Sequence, residues 1–238
     1  MVTTKTYLVA LALVGIVGTL PTAHAAAITV PIGHIPNTPY RIVFITSTFH
    51  TGASADINVY NDFVTAAANL DIGMASLNTT WKVLGSTVAT NVLANTGLSA
   101  SDTTTPFYNT RGLLIATGVT VGGSGLFGGA STAHLSTIFT ETGAVSPINA
   151  ALTGTLADGT TSLSALGNPV GIQRLKYGNP QLLTGQWIAA DDVFVNYNGL
   201  FYGVSGVLGT VPEPATIALT GLGAVLAFAF SKLRKAQN

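Results

Sequence analysis

Hydrophobic and polar positions divide the chain into two uncharged apolar runs, Leu8 to Leu20 and Ala215 to Phe230, separated by a long region where short apolar clusters alternate with Thr, Ser, Asn and Gly. Within that region, Tyr40 to Thr46 combines β-branched and aromatic residues and reads as a buried strand. Ser54 is placed to cap a helix with Asp56 in its first turn. Ile57, Tyr60, Phe63, Val64, Ala67 and Leu70 recur at helical spacing, and Gly73 offers a stop. Trp81 to Leu84 and Leu113 to Ala116 read as further short strands, with a polar loop from Thr90 to Thr105 between them. Val193 to Tyr197 and Leu200 to Val204 flank Asn198-Gly199, the spelling of a type I′ hairpin turn. No fixed-period repeat is visible, which excludes a solenoid. One early helix followed by many short strands predicts an α+β fold with an antiparallel sheet and one main helix; a jelly-roll β-sandwich is the alternative.

Composition narrows the function classes. Of 238 residues 47% are apolar and only 8% charged, against about 25% charged in an average soluble domain. Nine basic residues balance nine acidic ones, and no Lys/Arg patch exists before the last few positions, so a nucleic-acid partner is excluded. The chain has no cysteine, which excludes disulfide scaffolds, thiol catalysis and Cys-based zinc sites.

Both ends carry addresses. Lys5, the apolar run from Leu8 to Leu20 and then Pro21-Thr22-Ala23-His24-Ala25 have the order of a secretory signal peptide over residues 1–25, with Ala23 and Ala25 as the signal-peptidase site. A mature chain then starts at Ala26. At the other end Pro212-Glu213-Pro214 precedes the apolar run. At 1.5 Å per residue that run covers about 24 Å, or about 28 Å if Lys232 snorkels, close to a bilayer core of about 30 Å. A transmembrane helix is therefore predicted over residues 215–233. Lys232, Arg234 and Lys235 mark the side beyond it as cytoplasmic.

The ordered set of a Pro-Glu-Pro triplet, a short apolar helix and a basic cluster over residues 211–238 resembles the PEP-CTERM sorting signal, a group also described as an ice-binding-protein C-terminal domain. This resemblance implies a Gram-negative envelope protein recognised by an exosortase and associated with exopolysaccharide or biofilm matrix. Signal peptidase, the exosortase and the inner membrane would be its processing partners. The protein would sit in the inner membrane facing the periplasm before processing, then at the cell surface or outside the cell.

Residues 26–210 remain as one exported globular domain with five basic and eight acidic residues, a net charge of −3. Its pieces Arg41 to Thr48, Asp56 to Leu70, Thr80-Trp81-Lys82, Gly112 to Ala116, Thr153 to Thr160 and Gln186-Trp187 resemble C-type-lectin-like domains. The resemblance implies an architecture only, because the disulfide cysteines and the Glu-Pro-Asn and Trp-Asn-Asp motifs of calcium-dependent sugar binding are absent.

Candidate chemistry is sparse. Gly123-Ser124-Gly125-Leu126-Phe127-Gly128 spells G-x-G-x-x-G without a βαβ unit or an acidic residue at the right distance, and reads as a surface loop. His34, His50 and His134 lack metal-ligand spacing and are expected to be solvent-facing or locally hydrogen-bonded. Gly203-Val204-Ser205-Gly206 misses the nucleophile-elbow pattern. Glu141 could pair with Asp158, Asp191 or Asp192 for glycoside hydrolysis, yet no motif surrounds it. Asp191-Asp192 with Asn196 or Asn198 could offer oxygens to calcium, against the plainer reading of a solvated turn. Trp81, Trp187, Tyr197 and Tyr202 are candidates for a sugar-stacking face, against the plainer reading of core aromatics. The expectation is a non-enzymatic protein without catalytic, cofactor or metal site, structural or adhesive in role. The alternative is a carbohydrate-binding module of lectin-like fold associated with exopolysaccharide.

Overall fold

The structure, a computed structural model, describes residues 31, 33–35, 38–120, 125–168 and 173–209. Among these residues ten strands are found: β1 (Arg41–Ile45), β2 (His50–Thr51), β3 (Trp81–Val83), β4 (Pro106–Asn109), β5 (Leu114–Thr117), β6 (Ala151–Leu152), β7 (Arg174–Gly178), β8 (Asp191–Phe194), β9 (Asn198–Gly199) and β10 (Tyr202–Ser205). The helices are α1 (Ile57–Ala68), α2 (Ile72–Ser76) and α3 (Val92–Thr96), with 3₁₀ turns at Gly129–Ser131 and Gly185–Trp187.

The main sheet has the order β3-β10-β1-β4-β5. Its strand β1 is buried along its whole length because both sheet faces are covered. Ile42 and Phe44 point into a core with Tyr60, Val64 and Ala67 of α1. Val43 and Ile45 point the other way, into a core with Phe107, Trp187 and Tyr202. This double burial explains the unbroken apolar run of the sequence. A three-stranded sheet β6-β7-β8 contributes Leu152 and Leu175 to the first core and Ala151 to the second, and β2 pairs with β9 in a two-stranded ribbon.

Four sequence expectations change. The fold is α+β, but the main sheet is mixed: β1 pairs antiparallel with β10 and parallel with β4. Asp56, not Ser54, is the cap of α1, its side chain accepting from the Asn58 amide at 2.9 Å. Gly73 does not stop that helix; α1 ends at Asn69, and Asp71 caps α2 by accepting from the Met74 amide at 3.0 Å. Finally, Asn198-Gly199 is not a hairpin turn. It is β9, paired with His50 and Thr51, while the neighbouring β8 pairs with β7 and β10 pairs with β1 and β3.

Among the described residues no helix is long and apolar enough to cross a membrane. The expected signal peptide with Ala23 and Ala25, the helix over 215–233, Pro212-Glu213-Pro214 and the basic cluster all lie outside the described residues.

Candidate functional site

Strand β1 gives the molecule two poles. At its start, Tyr40 and Leu208 exchange backbone hydrogen bonds, each 2.8 Å long. At its far end Ile45 leads through Thr46 to Ser47, about 20 Å away at roughly 3.3 Å per residue. The two poles carry different clefts.

Beside Tyr40, His34 packs edge-on against the rings of Tyr40 and Tyr108, with centroids 4.5 and 6.0 Å apart. The rings of His34 and Tyr108 border a cleft of about 400 Å³ that includes Thr38, Thr104 and Pro106. His34 Nε2 bonds the Thr38 carbonyl at 3.0 Å. Underneath, Asp102 accepts from the Thr104 and Thr105 amides at 3.0 Å each. Partial burial pushes the Asp102 carboxyl upward, but these hydrogen bonds and the charge of Arg41 outweigh it and hold the carboxyl below its ordinary range. Arg41 itself is buried and donates to the Ser205 carbonyl at 2.7 Å.

The far pole is built by a change of neighbour along β1. After Asn109, β4 leaves the sheet in a turn, because the Asn109 side-chain oxygen accepts from the amides of both Arg111 and Leu113 at 3.0 Å. Phe139-Thr140 takes its place, with the Ile45 amide donating to the Phe139 carbonyl at 3.0 Å. The chain then turns at Thr140–Ala144: the Gly143 amide donates to the Thr140 carbonyl, and the Ala144 amide to Thr140 Oγ1 at 3.0 Å. Gly143 has φ of +75°, which a residue without Cβ adopts at no steric cost. Thr110 Oγ1 donates to the Thr140 carbonyl at 2.7 Å and ties the two turns together.

Glu141 folds under this turn and is 1% exposed. Its carboxylate accepts from the Ser47 amide at 2.8 Å and from the Ser47 hydroxyl. Above it opens a cleft of about 340 Å³ lined by Ser47, Thr140, Thr142, Ala144, Val145 and Pro147. On the flank of the same turn, the Arg111 guanidinium lies 3.8 Å from the centre of the Phe139 ring, and its Nε donates to the Gly143 carbonyl at 2.8 Å. The arrangement offers hydroxyls, a small apolar wall and a fixed cation to a polar ligand.

The other residues singled out in the sequence do not come together. Trp81, Trp187 and Tyr202 are buried core aromatics and form no stacking face, leaving Tyr197 exposed without them. The Tyr202 hydroxyl donates to the Trp187 carbonyl at 2.6 Å, and burial pushes this phenol well above its ordinary value. Asp192 pairs with Lys176 at 2.9 Å, while Asp191 accepts from the Asp192 amide. Both lie on β8, so the pair is strand and not the turn expected. Asp158 is satisfied by Thr160, whose amide and hydroxyl both bond its carboxylate. His50 sits against Tyr60, Phe63 and Phe201, and His134 is buried against Trp187, each far along the chain from His34. Among the described residues no group of three or more potential metal-ligating side chains is found. Ser205 is buried and its hydroxyl accepts from the Ile42 amide at 2.9 Å. In the glycine-rich segment Gly123 and Ser124 lie outside the described residues, but Leu126 and Phe127 are core, not a surface loop.

Sequence reasoning therefore picked out Glu141 as the lone glutamate of its region and missed Ser47 and Arg111. Neither has a local motif. The partners that give them meaning are remote in sequence, and only the mixed sheet brings them to one pole.

No curated protein matches the chain significantly. A family model described as the PEP-CTERM protein-sorting motif matches residues 210–235. This motif implies export, sorting toward the cell surface and an exosortase as processing partner. On that match, the chain carries a PEP-CTERM protein-sorting motif, starting directly after the pole where Tyr40 and Leu208 pair.

Proposed function

We propose that this is a cell-surface or extracellular-matrix protein with a structural or adhesive role, delivered by a signal peptide over residues 1–25 and processed through Pro212-Glu213-Pro214. The observation that carries the reading is the sorting-motif match over residues 210–235. In this reading residues 215–233 span the inner membrane before processing, with Lys232, Arg234 and Lys235 in the cytoplasm. The lone carboxylate between two rigid prolines is the chemically distinctive feature for an exosortase, and Glu213 lies outside the apolar run. Replacing it removes no membrane-burial energy. In the native host, Glu213→Ala is expected to leave the protein full-length in the inner membrane while the wild type loses its tail and moves outward. Pulse-chase with membrane fractionation checks this, and identical processing of both forms overturns exosortase recognition.

A second reading, a carbohydrate-binding module of lectin-like fold acting on exopolysaccharide, is supported by the hydroxyl-lined cleft at the far pole. It is checked by glycan-array binding of the purified full chain with and without calcium.

A further inference from the structure

We propose that the far-pole cleft, with Arg111 at its flank, is a binding site for a carboxylate-bearing sugar unit of an acidic polysaccharide. The inference rests on the surface or matrix reading and names its ligand class.

The argument starts from Arg111. Surface arginines are poor anchors when they must give up rotamer freedom to bind. Here that freedom is already lost: the guanidinium is held by the Phe139 ring and by the Nε bond to the Gly143 carbonyl. The residue is exposed, and among the described residues its two terminal amino groups have no hydrogen-bond acceptor. A planar fork fixed in this way presents two parallel N–H donors, the geometry that matches a carboxylate.

The other cations of the described region are placed differently. Arg41 is buried, Lys82 is half-buried on β3, and Lys176 is paired with Asp192. Arg174 lies over the ring of Phe194, but at 5.4 Å, and no backbone hydrogen bond pins it among the described residues. Arg111 is thus the exposed cation that two contacts hold in place.

The cleft supplies what a sugar ring needs beyond its acid group. Ser47 and Thr142, whose Oγ1 shares a 3.1 Å hydrogen bond with Thr140 Oγ1, line the cleft with hydroxyls for ring hydroxyls, and the exposed Val145 with Pro147 gives an apolar surface for C–H groups. The buried Glu141 carboxylate keeps its charge while it accepts from the Ser47 amide and hydroxyl, so the acid group belongs at Arg111 on the flank and the uncharged part of the ring over Ser47.

The test uses the purified full chain and galacturonate oligomers, with galactose oligomers as neutral counterparts. The wild type is expected to bind the acidic oligomer, to bind it more weakly as salt is raised, and to leave the neutral one unbound. Arg111→Gln is expected to weaken binding at least about tenfold, the size of one lost charged hydrogen bond. Arg111→Lys, which keeps charge but not the fork, should also lose affinity. Val145→Trp, which fills the cleft from an exposed position, should abolish binding and guards against misfolding of the arginine variants. Tyr108→Ala, at the other pole, should change nothing. Equal binding of acidic and neutral oligomers, no binding of either, or a loss on Tyr108→Ala but not on Arg111→Gln overturns the proposal. Surface delivery is measured separately through Glu213→Ala, so a correctly sorted protein that binds no galacturonate sinks the ligand while sparing the matrix reading.

Discussion

Asn61 and Asn95 hold each other by a reciprocal amide pair. Asn61 Nδ2 donates to Asn95 Oδ1 at 2.9 Å, and Asn95 Nδ2 donates back to Asn61 Oδ1 at 3.0 Å. The same Asn61 oxygen accepts from the Val83 amide, and Asn95 Nδ2 also donates to the Val83 carbonyl, both at 2.9 Å. One side chain from α1 and one from α3 thereby satisfy both backbone groups of Val83 on β3. This edge strand has no further sheet neighbour among the described residues, so the two amides take the place of a missing strand.

Asn61 is 4% exposed, and replacing it with Leu would strand the buried Val83 amide away from water and take the donor from Asn95 Oδ1. Each buried group left unsatisfied costs about 1–3 kcal/mol. Asn61→Leu is therefore expected to destabilise the protein by about 2 kcal/mol or more, measured by denaturant unfolding. Asn95→Ala should cost less, because Asn95 is only half-buried and water can replace it.

Gly199 gives a second prediction. A Cβ built there would meet Leu152 Cγ at 2.6 Å, and Leu152 is fully buried. Gly199→Val should destabilise by about 1–3 kcal/mol through overpacking. The companion Leu152→Ala opens space against the new side chain, so the double variant should lose less stability than the two single changes summed. Additive losses in thermal unfolding would show that the two residues do not collide.

That glycine also shows where reading the sequence succeeds and where it stops. Tyr40 to Thr46 and the periodic residues of α1 were legible because their signal is local: burial on both faces gives an apolar run, and burial on one face gives a helical stripe. Asn198-Gly199 has the spelling of a turn, yet glycine is there because β9 packs closely on β6, a contact between segments remote in sequence. The parallel pairing of β1 with β4 was equally silent, since it depends on a long crossover and leaves no periodic trace. The far-pole cleft was half legible. Glu141 stands out as the lone glutamate of residues 26–210, but its partner Ser47 and the Arg111–Phe139 pair exist only in three dimensions.

His134 makes stability depend on acidity. It is 4% exposed, with Nε2 3.2 Å from the Leu126 carbonyl. Burial lowers its pKa to about 4, with the Leu126 bond opposing that shift. The folded value lies below the ordinary 6.5, so the unfolded chain takes up the proton first as pH falls. The contribution of this histidine is whole above about pH 6.5, is lost between there and about pH 4, and is constant below. The loss is on the order of 3 kcal/mol. His134→Gln should flatten the pH dependence of unfolding in this window, and an unchanged slope would place the acid sensitivity elsewhere.

The last prediction concerns Glu141 and Ser47. A buried carboxylate costs free energy unless each oxygen has a donor, and here one residue provides both donors, its amide and its hydroxyl. Glu141→Gln keeps an acceptor for the Ser47 amide and gives the Ser47 hydroxyl an NH₂ donor to accept from, losing only the charge assistance of the two bonds, so Glu141→Ala is the variant that removes both acceptors. Ser47→Ala removes only the hydroxyl, and water reaches the exposed position 47 to replace part of it. Glu141→Ala is thus expected to destabilise by about 2 kcal/mol and Ser47→Ala by about 1 kcal/mol. Because the pair joins the end of β1 to the turn that carries Thr140 and Thr142, both variants should also raise hydrogen exchange at the Ala144 and Gly143 amides before the core opens. Exchange that rises uniformly across β1, β4 and β10 instead would mean that Glu141 supports the whole fold and not this pole alone.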